Sequence, residues 1–155
     1  MEQEIRPRYK QVFGFKAQYK RILYALEIAQ RPEGNLEQKE YEFITFFMHC
    51  WHLKDHIKHD DAFSNDKRDR IVKAAENCPD LKICQALANG LKHYVDKTEA
   101  QMIGNASVTV VVGSHIENIP RVELADGTRK DAIDIAKSCV KAWEIILKQE
   151  KIEIV

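Results

Sequence analysis

The chain has 155 residues, enough for one domain around a single buried core. Its 24 Lys and Arg balance 24 Asp and Glu, which argues against a surface that coats nucleic acid or lies on a membrane. No apolar stretch approaches the length of a bilayer span, and the opening MEQEIRPRYKQ lacks the apolar centre of a signal peptide, so a cytoplasmic protein without a membrane partner is expected.

In chain order, Val12, Tyr19, Ile22, Leu23 and Leu26 recur at helical spacing and predict a first helix over about 8–30, closed by Pro32 and Gly34. Asn35 then stands as an N-cap with Gln38 in capping-box position, opening a second helix from Leu36 to about His59. Its core stripe is expected to be Phe43, Phe46, Cys50, Leu53 and Ile57. Ser64 or Asn65 caps a short third helix through about Glu76, whose NDKRDR run is read as a solvated face. Pro79 and Asp80 suit the first turn of a fourth helix, PDLKICQALANGLKHYV. Leu81, Cys84, Leu87, Ala88 and Leu91 form its apolar face, with Gln85, Asn89, Lys92 and His93 on the other side. Beyond Thr98 the period changes. Val108–Val112 and the alternation from Ile119 to Leu124 predict an antiparallel hairpin over about 107–125, followed by a turn at Asp126-Gly127. His115 falls in the loop between those strands. A final helix over about 131–149 buries Ile135, Cys139, Ala142, Trp143 and Ile146. The fold class is therefore mainly α (α+β): a single domain, 1–155, with a four- to five-helix bundle and a small hairpin before the C-terminal helix.

Four of the six histidines, His49, His52, His56 and His59, lie in FFMHCWHLKDHIKHDD. Steps of three, four and three residues keep them within an arc of roughly 80° on a helical wheel, beside the apolar stripe. Metal binding is one meaning of such a stripe. The zincin pattern is excluded because Leu53 stands where its glutamate belongs, and the Glu-x-x-His pairs of di-iron bundles are absent. His49, His52 and Asp55 remain an improvised set, against solvated imidazoles at a helix C-terminus. No metal and no cofactor is expected. The four cysteines, 50, 78, 84 and 139, show no C-x-x-C pair and are read as buried reduced thiols rather than disulfides or zinc ligands.

A second constellation joins WHLKDH to ANGLKHY. If the second and fourth helices pack antiparallel, His52, Asp55, Asn89, Lys92 and His93 share a pocket able to hold a phosphate or to cleave a phosphodiester by acid–base chemistry. A purely structural polar network, for example His52 bridging to Asn89, uses the same residues.

ANGLKHY near the end of a helix in a small bundle resembles the terminal motif of HEPN-like domains, and HLKD with ANG-x-KH is similar to bacterial and phage proteins of about this size. The resemblance covers roughly residues 40 to 95. It implies a bacterial defence or regulatory setting, a homodimer, and binding or metal-independent endoribonuclease cleavage of RNA or a nucleotide. By that motif Asn89 matches the polar position and His93 the histidine, while Ala88 stands where the family's ribonucleases carry an arginine that steadies the strained phosphate. The site expected on these grounds has His93, Asn89 and His52 as catalytic residues and Lys92, Asp55 and His49 as binding residues. The competing class is a non-enzymatic protein-interaction module with a structural polar network. Phe47 and Trp51, four apart and off the core stripe beside Lys54 and Lys58, are expected to supply the dimer surface.

Overall fold

The computed structural model describes residues 14–92, 101–103, 106–111, 120–124 and 127–154, with backbone alone in 90–92, 101–103 and 106–111. Five helices are described: α1 (Phe15–Gln30), α2 (Leu36–Lys58), α3 (Asn65–Asn77), α4 (Pro79–Lys92) and α5 (Ala132–Gln149). Between α4 and α5 run four strands, β1 (Gln101–Ile103), β2 (Ala106–Val111), β3 (Arg121–Leu124) and β4 (Arg129–Asp131). Mainly helical with a hairpin before the last helix, the chain follows the expected plan. The expected start of the first helix at residue 8, and its Val12, lie outside the described residues, as do His93, His115 and Asp126.

The local signals that open each helix are in place. Asn35 Oδ1 accepts from the Gln38 backbone N–H at 2.8 Å. The reciprocal arm of a capping box is replaced, because the Gln38 amide reaches forward to Glu42 at 3.2 Å. Ser64, rather than Asn65, caps α3 by accepting from the Lys67 N–H. Pro79 opens α4, with Asp80 in its first turn.

The hairpin pairs β2 with β3, Val110 opposite Val122, and forms the middle of a four-stranded antiparallel sheet in the order β1-β2-β3-β4. The outer strands have three residues each, too short for an alternating pattern to register in the sequence. Gly127, at φ +84°, makes the turn from β3 to β4, where the left-handed backbone suits glycine. β4 leads straight into α5, and the Ala132 N–H donates to the Pro120 carbonyl at 2.9 Å, tying the helix start to the sheet.

α2 is the central element and packs against each of the other four helices. Its buried face therefore extends beyond the expected stripe: Phe47 (2 % exposed) and Trp51 (5 %) join Phe43, Phe46, Cys50, Leu53 and Ile57 in the core. The two aromatics assigned to a dimer surface are covered within the monomer, which removes the argument for a dimer that rested on them. Leu23, one of the apolar residues at helical spacing in α1, is exposed. Trp143 of α5 is fully buried and its indole N–H donates to the Cys50 carbonyl at 3.0 Å.

Among the described residues Lys39 is the charged one carried furthest inside. Only 4 % exposed, it donates to Glu42 at 2.8 Å and to the Ile28 and Ala29 carbonyls at the end of α1. Those carbonyls have no intrahelical partner, so the ammonium closes the helix end and joins α1 to α2. Lys39→Met keeps the apolar stem but removes the ammonium from the Ala29 carbonyl and Glu42 Oε2, while the Ile28 carbonyl keeps its bond from the Arg31 N–H. The substitution is expected to cost about 1–3 kcal/mol, seen in calorimetry as a Tm lowered by roughly 2–4 °C or slightly more per kcal/mol.

Candidate functional site

Two groups of side chains carry chemistry, one along the edge between α1 and α2 and one inside the bundle. Both depend on α2, whose apolar sector faces the core and leaves the histidines on the remaining arc.

At the edge, the histidines do not share one environment. His52 and His59 are exposed, while His49 and His56 are half-buried. His49 faces α1. Buried Gln18 (4 % exposed) donates from Nε2 to the His49 carbonyl at 2.9 Å, and the same nitrogen lies 3.3 Å from His49 Nδ1. Because the carbonyl can only accept, the amide orientation is fixed, and Nδ1 of a neutral His49 is the acceptor. The Gln18 Oε1 in turn accepts from Arg21 at 3.3 Å. Burial, first, and then the positive neighbours Arg21, His52 and His56 hold the His49 pKa below its ordinary value. Arg21 of α1 thus lies within electrostatic reach of an α2 imidazole whose neighbours are two more imidazoles. Sequence reasoning missed Gln18 and Arg21, since nothing in the spacing of α1 distinguishes them from other polar positions.

Of the other expected site residues, Asp55 is paired with its neighbour Lys54 at 3.2 Å, and that ammonium lies 4.8 Å from the centre of the Trp51 ring. Asn89 is half-buried on α4, which packs against α2. Lys92 ends α4 with only its backbone described, and His93 lies outside the described residues. Ala88 is 6 % exposed and part of the core.

Inside the bundle, Cys50 of α2, Cys84 of α4 and Cys139 of α5 converge, each fully buried, with their sulfurs all within 4.8 Å of one another. The thiols are free, as expected, but their convergence was not legible from a scattered spacing. Cys84 Sγ donates to the Phe47 carbonyl at 3.3 Å and Cys139 Sγ to the Asp80 carbonyl at 3.5 Å. Burial opposes ionisation of Cys50, while the neighbouring Cys139, Cys84 and Trp143 groups act in the other direction and lower its pKa. Burial raises Cys84, and the nearby Cys50 sulfur raises Cys139.

Against known proteins, no family model matches the chain, and neither a curated protein nor a solved structure does.

The environment of His49 sets a pH dependence. Its folded pKa lies below the ordinary 6.5, so the unfolded chain takes up the proton first. The stabilising contribution of neutral His49 is complete above 6.5 and is lost as the pH falls towards the folded value. The stability difference between the parent and His49→Gln is therefore expected to shrink between about pH 7.5 and 5. Parallel urea titrations at the two pH values check this, and a constant difference would show that His49 is not desolvated.

Proposed function

We propose that the protein binds a phosphate-bearing ligand, RNA or a nucleotide, along the α1–α2 edge, using Arg21, His52 and His56. What supports this reading is the chain from Arg21 through Gln18 to His49 across α1 and α2, with Arg21, His52 and His56 all within electrostatic reach of His49. A guanidinium offers two parallel donors to a phosphate, and an imidazole gains positive charge near neutral pH, when a nearby anion favours it. His49 has a different part. Held by Gln18, it joins α1 to α2.

Binding is favoured over cleavage. Ala88 packs into the core where the HEPN-like ribonucleases carry their arginine, so a charged side chain at that position would have to enter an apolar interior. The half-buried Asn89 is the remaining described member of that motif, and it defines the alternative placement of the ligand, between α2 and α4.

The test is fluorescence anisotropy with labelled single-stranded RNA at several salt concentrations. Arg21→Ala and His52→Ala are each expected to weaken binding several-fold, and each lost phosphate contact to flatten the salt dependence by about 0.7 in log–log slope. If Asn89→Ala weakens binding while Arg21→Ala leaves it unchanged, the ligand lies between α2 and α4 and the edge assignment fails. Absence of salt-sensitive binding by the parent at tens of micromolar would remove RNA from the reading.

A further inference from the structure

Three of the four cysteines meet in the core although they come from three separate helices and lie 34 and 55 residues apart along the chain (84 minus 50, 139 minus 84). A buried thiol that serves only as a small hydrophobe has no reason to seek others of its kind. Cys78 illustrates the contrast, half-buried at the end of α3 and outside the group.

We propose that Cys50, Cys84 and Cys139 form a three-sulfur site for a soft, thiophilic ion that accepts trigonal or pyramidal coordination. The geometry requires little adjustment. With metal–thiolate bonds of about 2.3 Å, three sulfurs around one ion stand about 4.0 Å apart in a trigonal plane. Sulfurs already within 4.8 Å of one another reach that spacing by moving less than about 1 Å.

The donor set also selects the ion. Among the described residues the group contains these three thiols and no histidine or carboxylate. A structural zinc site takes four ligands, so three sulfurs alone do not complete it. Soft ions such as Cu(I) are the natural occupants of an all-thiolate site. Charge narrows the choice, because an apolar core penalises an uncompensated charge. Three thiolates around Cu(I) carry a net charge of two minus, and around a divalent ion one minus. Trivalent arsenic leaves none: As(OH)₃ and three thiols give three As–S bonds and three waters, with three As–O and three S–H bonds broken and no electron transferred. The site therefore favours a trivalent thiophile, and holds Cu(I) best if one sulfur keeps its proton.

A surface pocket of about 490 Å³ lies beside α5, lined by Asp80, Ile83, Ile135 and Ser138 among others, and Asp80 is also the residue whose carbonyl accepts from the Cys139 thiol.

The test uses the full chain, reduced and kept free of oxygen, with arsenite and Cu(I) as separate probes. One equivalent of either is expected to bind, protecting three thiols from alkylation, and X-ray absorption should show three sulfur neighbours at about 2.3 Å with no nitrogen or oxygen. Cys84→Ala should weaken binding more than tenfold, since even outer-shell partners of a metal ligand account for about 10–100-fold. Cys78→Ser should bind like the parent. The proposal is overturned if the reduced parent binds neither probe stoichiometrically, if the bound ion has nitrogen or oxygen ligands, or if Cys78→Ser loses the ion. The parent measurements decide the matter even where a core substitution unfolds the chain.

Discussion

Everything in this structure depends on the burial demanded by α2. Seven of its side chains, Phe43, Phe46, Phe47, Cys50, Trp51, Leu53 and Ile57, are at most 5 % exposed, and a single neighbouring helix cannot cover so wide a sector. Each remaining helix supplies part of the cover, with Trp143 of α5 filling the interior and anchoring to the Cys50 carbonyl. A fully buried Leu, Ile or Phe contributes about 1.5–3 kcal/mol relative to exposure, so this face is the main fixed point of the fold. The arc left over holds the histidines.

That constraint explains why the two chemical groups lie back to back. Cys50 and His49 are adjacent in sequence, and a helix turns about 100° between them. One is thereby directed into the core with Cys84 and Cys139, the other towards Gln18 and Arg21 on α1. A movement of α2 relative to α1 would disturb the His49 group, and one relative to α4 or α5 the thiol group. The Lys39 ammonium, spanning the end of α1 and Glu42 of α2, opposes the first of these near the start of α2.

The fold was largely legible because its signals are local. Caps at Asn35 and Ser64, Pro79 at the head of α4, and the apolar periods of α4 and α5 depend on residues within a few positions of one another. Widths of buried faces were less legible, since they depend on how many elements pack around a helix. Phe47 and Trp51 read as an unpartnered patch because a wheel drawn for one flank does not count four neighbours. Exposed Leu23 shows the converse, an apolar residue at the margin of a helical stripe that no element covers.

The candidate sites were legible in proportion to their sequence locality. The histidine stripe is carried by one helix and stood out at once, whereas its partners Gln18 and Arg21 belong to another helix and left no local trace. The thiol group is the extreme case. Each cysteine taken alone looks like a small apolar residue on an apolar face, and that description of its packing holds in the structure. Only tertiary packing distinguishes three separate core thiols from one group of three, because the property that matters is the distance between sulfurs on different helices. With α2 crossed by α4 and α5 at the level of Cys50, the bundle concentrates its soft donors at one interior point. Arg21 and the imidazoles stay at the edge, half-buried or exposed, where water can reach their charge.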